Sequence, residues 1–237
     1  MEEIKVIQGI NYIHLFSGGL DSTYSLFDLC REFEKRSESS KIQPIFLDYG
    51  QYASIAEWTS VNNVIKFIQS ELHSPEILNH PIIVNLRSDL FIWSKSVAFN
   101  GIQTKDSDPE IENRNMVLLS ILYSYAIACA RNQNIHKAIF EVYGGFKDGE
   151  IADCKASFFN SLSQLMKQYH PEYIMNFHLL PAKFDRQTTI NAMKRLLKGS
   201  EDKLKRLKGL TISCYSPING EACGKCWKCL KISEGKL

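Results

Sequence analysis

No stretch of about 18 apolar residues runs through this chain without a charge or strong polar break, which excludes a spanning helix. The opening Met1-Glu2-Glu3-Ile4-Lys5 lacks the basic start and apolar core of a secretion signal, so a cytoplasmic protein is expected. An excess of one charge is also missing. Lys and Arg number 28 against 26 Asp and Glu, a net charge of +2. That balance argues against broad coating of nucleic acid while leaving room for a local basic pocket. There is no internal repeat and no low-complexity tract. What remains is an ordinary globular composition, 44% hydrophobic and 23% charged over 237 residues. It suits one α/β domain with a small appendage, large enough to fold without disulfide staples.

The seven cysteines are Cys30, Cys129, Cys154, Cys214, Cys223, Cys226 and Cys229. An odd number without a secretion signal reads poorly as a disulfide framework. Four of them, as Cys214-x8-Cys223-x2-Cys226-x2-Cys229, supply enough thiolates for a closed tetrahedral zinc site. An iron–sulfur cluster is the rival reading, because Cys-x2-Cys-x2-Cys also occurs in ferredoxins; here the fourth ligand lies upstream and no Cys-Pro follows. Gly224 lets the chain curl between ligands, and Lys225, Lys228 and Lys231 offset part of the thiolate charge. The histidines show no ligand spacing, and His14 reads as a packed core residue inside a strand.

Strand and helix patterns alternate along the chain. Residues 12–16, 44–47, 81–86, 137–143 and 177–180 read as buried strands. Residues 23–33, 53–72, 115–130, 154–169 and 185–197 read as helices, the third apolar enough to be buried on most of its surface. Residues 34–41 form a solvated loop, and a basic linker helix follows Gly199. The alternation predicts βαβ units and a parallel sheet with helices on both faces over residues 1–198, then a zinc-binding module over 199–237. Residues 87–110 lose periodicity and end in turn formers, the pattern of a lid or binding loop.

The most specific signal is Ser17-Gly18-Gly19-Leu20-Asp21-Ser22 between the first strand and first helix. Two glycines allow a tight turn that brings bare N–H groups to an anion, and the helix start adds donors and a positive dipole end. Ser17 and Ser22 can donate hydroxyls to phosphate, while Asp21 can cap the helix or help hold magnesium. The loop is neither a Walker A motif nor Gly-x-Gly-x-x-Gly.

This loop resembles the signature of the PP-loop ATP pyrophosphatases, a Rossmann-like group of the adenine nucleotide α-hydrolase (HUP) type. Further motifs narrow the resemblance to the QueC-type 7-cyano-7-deazaguanine synthases. They are Asp48-Tyr49-Gly50-Gln51, Asn113-Arg114-Asn115, Asp153-Cys154 and Cys214-Tyr215…Cys223-Gly224-Lys225-Cys226-x-x-Cys229, in family order. Three loops depart from the usual pattern: Tyr52-Ala53-Ser54 after Gln51, Glu112-Asn113 before Arg114, and Asp148-Gly149-Glu150-Ile151-Ala152 before Asp153.

The resemblance implies ATP, Mg2+ and Zn2+ as cofactors, and ATP-dependent conversion of 7-carboxy-7-deazaguanine with ammonia to 7-cyano-7-deazaguanine. It implies an ATP site at Phe16, Ser17, Gly18, Gly19, Leu20, Asp21, Ser22, Thr23 and Asp48. Catalytic roles fall to Asp21, Ser22 and Arg114. Substrate contacts fall to Gln51, Arg114, Asn115, Asp153 and Lys183. Arg114 reads either as a two-point clamp for a carboxylate or phosphate, or as a surface arginine paired with Glu112. Asp153 holds the base or caps a helix, Asp48 binds ribose or metal, and Lys183 and Asp185 face the same crevice. Cys154 is a nucleophile or a packed thiol. A homodimer without direct nucleic-acid partners is implied. Related enzymes of anti-phage systems point to a protein amine as the alternative acceptor. A non-catalytic nucleotide sensor and a tRNA-modifying enzyme are the readings from other classes.

Overall fold

The computed structural model describes residues 3–36, 40–86, 114–149 and 152–234. Five strands, β1 (Gly9–Leu15), β2 (Ile42–Asp48), β3 (Ile82–Asn85), β4 (Ala138–Gly144) and β5 (Tyr173–Phe177), form a wholly parallel sheet in the order β3-β2-β1-β4-β5. Parallel neighbours need crossovers, supplied here by α1 (Leu20–Arg36), α2 (Ser54–Glu71), α3 (Arg114–Asn132) and α4 (Ala156–Tyr169). The chain winds outward from β1 to β3 and then returns to the other side of β1. That reversal sends α1 and α2 to one face and α3 and α4 to the other.

The two faces have separate cores, and strand alternation divides them. Along β2, Ile42 and Phe46 join the core under α1 and α2, while Ile45 and Leu47 join the core under α3 and α4. Covered on both sides, β2 is buried at every residue. Two more helices, α5 (Arg186–Leu196) and α6 (Glu201–Leu210), lie on the α1/α2 side, with Met193, Leu204 and Leu207 buried in that core. A short helix α7 (Trp227–Ser233) follows the cysteine segment. Among the described residues, no helix is long and apolar enough to cross a membrane.

Two expectations need correction. The fifth strand is residues 173–177, upstream of 177–180, because Tyr173 and Met175 alternate into the α3/α4 core. His178 and Leu180 continue alongside β4 through single backbone bonds to Val142 O (2.8 Å) and Phe146 O (2.7 Å). The first helix runs past Phe33 to Arg36, held by Glu32 pairing with Lys35 (2.8 Å) and Arg36 (3.4 Å) and by Arg31 with Glu34 (2.7 Å). Helix α3 is buried or half-buried over most of its surface, as expected, with Leu119, Leu122, Ala126 and Ala130 in the core and Met116, Ser124 and Ala128 turned outward. The lid expected at residues 87–110 lies outside the described residues.

His14 is fully buried on β1, with no hydrogen-bond partner for either ring nitrogen among the described residues. Burial lowers its pKa from 6.5 to about 3, so the ring is neutral.

Candidate phosphate loop and cysteine centre

The Ser-Gly-Gly turn leaves the C-terminal end of β1, the central strand, where the strand order reverses. Open α/β sheets place ligands at such a point. Phe16 is buried and its N–H bonds Ile45 O at 2.9 Å, while Ser17 is exposed and Gly19 partly so. Gly18 has a φ of 70°, and a Cβ there would stand 2.7 Å from Ser60 Oγ, so only glycine fits. The back of the turn is pinned. Ser60 Oγ lies 2.8 Å from Gly18 O and 2.7 Å from Leu210 O, and Ile212 N–H donates to Gly18 O at 3.1 Å.

The front presents hydrogen-bond donors. The first helical bond runs from Thr23 N–H to Gly19 O (2.9 Å), which leaves the N–H groups before Thr23 without intrahelical partners. Ser17 Oγ and Ser22 Oγ stand 3.1 Å apart, and Ser22 Oγ donates to Gly19 O at 3.0 Å. Gly145, after β4, presses on this turn: a Cβ there would come within 2.9 Å of Ser22 N. Asp21 is held from outside the loop, by Lys147 Nζ on Oδ2 (2.9 Å) and Thr189 Oγ1 on Oδ1 (3.0 Å). Each carboxylate oxygen keeps a further lone pair, so the donor set fits a magnesium ion as a shared ligand.

The turn after β2 brings a second group to the same edge of the sheet. Asp48 is buried and its Oδ1 accepts Gly50 N–H at 3.1 Å. Gln51 is buried and used internally, accepting Tyr49 N–H (3.0 Å) and donating to Glu57 Oε2 (2.7 Å). Arg114 opens α3 among Tyr49, Tyr215, Asp153 and Cys154. Burial opposes its charge, but these neighbours outweigh it and hold the guanidinium ionised more firmly than usual. Burial drives Tyr49 up to about 12 against its hydrogen bond with Arg114. Burial also raises Glu57, opposed by Gln51 and by the charges of Arg114 and Lys228. The proposed Arg114–Glu112 pair, with Asn113, Glu150 and Ile151, lies outside the described residues.

Asp153 caps a helix, but α3 in place of its own: its Oδ2 accepts Asn115 N–H at 3.1 Å, and its carbonyl accepts Asn115 Nδ2 at 3.0 Å. It is the middle residue of a short 3-10 turn (Ala152–Cys154), while Asp148 Oδ1 accepts Ala156 N–H of α4 at 2.9 Å. Cys154 lies 3.4 Å from Asn115 Nδ2, and burial followed by the Asp153 charge raises its thiol, the wrong direction for a nucleophile. Lys183 stands on an exposed turn after β5, and Asp185 caps α5 by accepting Thr188 N–H at 2.7 Å.

Sequence reading missed Lys147, Thr189, Ser60 and Glu57. Glu57 left one trace, a carboxylate set inside the apolar run of α2; the others sit far along the chain from the loop they serve.

Cys214, Cys223, Cys226 and Cys229 place all four Sγ atoms within 4.8 Å of one another. Cys214 Sγ and Cys226 Sγ are 3.8 Å apart, the separation expected of tetrahedral ligands at about 2.3 Å from zinc. Backbone N–H groups of Cys223, Cys226 and Cys229 each point at a cluster sulfur at 3.3 Å. Burial opposes ionisation of Cys223, yet the N–H groups of Lys225 and Cys226 bring it down to about 7. The set can hold a metal ion such as zinc.

A parallel Rossmann-like α/β sheet, a Ser-Gly-Gly turn at its switch point and a four-thiol centre together define the class of this protein. A family profile described as "Queuosine biosynthesis protein QueC" matches residues 11–235. The chain belongs to the QueC family. Among curated relatives, a 7-cyano-7-deazaguanine synthase of Leptospira interrogans is 27% identical over 232 residues, covering 93% of this chain and 84% of that protein. One from Parabacteroides distasonis is 25% identical over 228 residues, with 93% and 90% covered. The 7-cyano-7-deazaguanine synthase 1 of Desulfitobacterium hafniense is 31% identical over 111 residues, 47% of each chain.

Proposed function

We propose that this chain makes 7-cyano-7-deazaguanine from 7-carboxy-7-deazaguanine, ATP and ammonia. The observation that carries the reading is the presence, at one end of the sheet, of a glycine turn with unpaired helix-start N–H groups and of a recessed, firmly charged Arg114. A carboxylate is a poor electrophile until one of its oxygens becomes part of a leaving group. In this reading the substrate carboxylate attacks the α-phosphorus of ATP and displaces pyrophosphate. Ammonia then attacks the carbonyl carbon, loses a proton, and AMP departs with the bridging oxygen. The amide oxygen attacks the α-phosphorus of a second ATP and displaces a second pyrophosphate; loss of two N–H protons and AMP leaves the nitrile.

The chain's part is mainly positioning and charge. Phe16 to Thr23 cradle the triphosphate, with Ser17 and Ser22 donating to its oxygens. Asp48 faces the nucleotide from the end of β2. Arg114 clamps the carboxylate in two-point fashion, and Asn115 and Asp153 lie against it toward the base. Gln51 shapes this pocket through Glu57, and Lys183 flanks it. Magnesium, when bound with the nucleotide, supplies charge neutralisation, and Asp21 is placed to share it. Zinc at the four cysteines would tie the segment carrying Tyr215 and Lys228 beside Arg114 and Glu57.

The test is mass spectrometry of reactions with and without ammonia. A free nitrile with AMP and pyrophosphate supports the proposal. A deazaguanine-sized mass added to a protein shows the acceptor to be a protein amine. Bound ATP with the carboxylate untouched refutes the substrate assignment.

A further inference from the structure

Lys147 lies outside every motif discussed above, yet among the described residues it is the one that pairs its charge with the phosphate turn. Its Nζ is 2.9 Å from Asp21 Oδ2, with the side chains 28% and 34% exposed. Thr189, fully buried on α5, occupies the other oxygen at 3.0 Å and also lies 2.9 Å from Asp185 O. The segment bearing Lys147 is itself fixed. Gly145 abuts Ser22, Leu180 N–H donates to Phe146 O at 2.7 Å, and Lys147 forms a parallel bridge with Leu180. Asp185 also feels this ammonium, which contributes to the lowering of its pKa after the dominant Thr188 backbone bond.

The charge logic is simple. A triphosphate is densely anionic, and Asp21 puts a carboxylate at the start of the helix meant to receive it. Left bare, that carboxylate repels the ligand unless a divalent cation masks it. Resting on the nucleotide reading above, we propose that Lys147 is a positioning residue for the phosphate site. It neutralises Asp21 and, with Thr189, holds the carboxylate in place, so the triphosphate can be received before a divalent ion comes to share Asp21.

Calorimetric titration of ATP in EDTA and in excess Mg2+ tests this with wild type, Lys147→Met, Lys147→Arg, Asp21→Asn and the Lys147→Met/Asp21→Asn pair, thermal midpoints confirming folding. Lys147→Met is expected to weaken ATP about tenfold in EDTA and less than about threefold in Mg2+, a change in the ratio that a merely structural role does not produce. Lys147→Arg keeps the charge and the wild-type ratio. In the Asp21→Asn background the Lys147→Met change shrinks to less than about twofold. Equal weakening in both media, or an undiminished loss in the Asp21→Asn background, overturns the Lys147 assignment and leaves the nucleotide site standing. Wild type that binds ATP in neither medium brings down both.

Discussion

Lowering the pH from 8 to 5 should destabilise this fold through His14, and the size of the loss follows from burial. The ring is 0% exposed, and its pKa falls from 6.5 to about 3 on folding because desolvation penalises the imidazolium. Between those two values the unfolded chain binds a proton that the folded chain refuses. Stability therefore rises with pH, is complete above 6.5, and declines as pH falls from 6.5 toward about 3. At pH 5 the loss is about 2 kcal/mol, roughly 4–8 °C in Tm for a chain of this size. His14→Leu, close in volume and without ring nitrogens, removes this proton linkage. The assay is denaturant and thermal unfolding of both proteins at the two pH values, with zinc held constant. Acid weakening of the thiol centre is common to both proteins and cancels in the difference. The variant should lose about 2 kcal/mol less than wild type between pH 8 and 5. Equal pH dependence in the two proteins would refute the reasoning.

Other perturbations address the site. Asp21→Ala or Ser17→Ala should slow ATP cleavage at least roughly tenfold, about 1.4 kcal/mol of transition-state stabilisation, measured as pyrophosphate release; normal turnover in folded variants makes the loop a mere turn. Elemental analysis should find about one zinc per chain, with Cys226→Ser lowering metal content and folded yield; a brown protein holding iron and sulfide contradicts this. Arg114→Ala should abolish binding of the carboxylate substrate while ATP binding persists by calorimetry, and loss of both ligands together would assign Arg114 to the fold.

Much of this arrangement was legible because its signals are local. Gly18 needs a positive φ where a strand meets a helix, and the cysteine spacing brings sulfurs together over a short stretch. The parallel sheet followed from alternating periods of two and 3.6, but its strand order did not. Contacts between distant segments were not legible. Thr189 meets Asp21 across 168 positions and Ser60 meets Leu210 across 150, and no local pattern encodes either meeting. The fifth strand was misplaced because Phe177-His178-Leu179-Leu180 is the more apolar run, while pairing with β4 and burial of Tyr173 and Met175 decided the register. Glu57 was passed over because a carboxylate on an amphipathic helix ordinarily faces water; here Gln51 and the charge of Arg114 draw it inward.

The central claim is that the substrate carboxylate itself attacks ATP, and isotope transfer tests it most directly. 7-Carboxy-7-deazaguanine labelled with 18O in both carboxylate oxygens is incubated with the protein, ATP, Mg2+ and ammonia, and the AMP is weighed. Adenylation followed by amide dehydration predicts one 18O in each AMP and two labelled AMP molecules for every nitrile formed. Unlabelled AMP, or ADP in its place, would contradict the account.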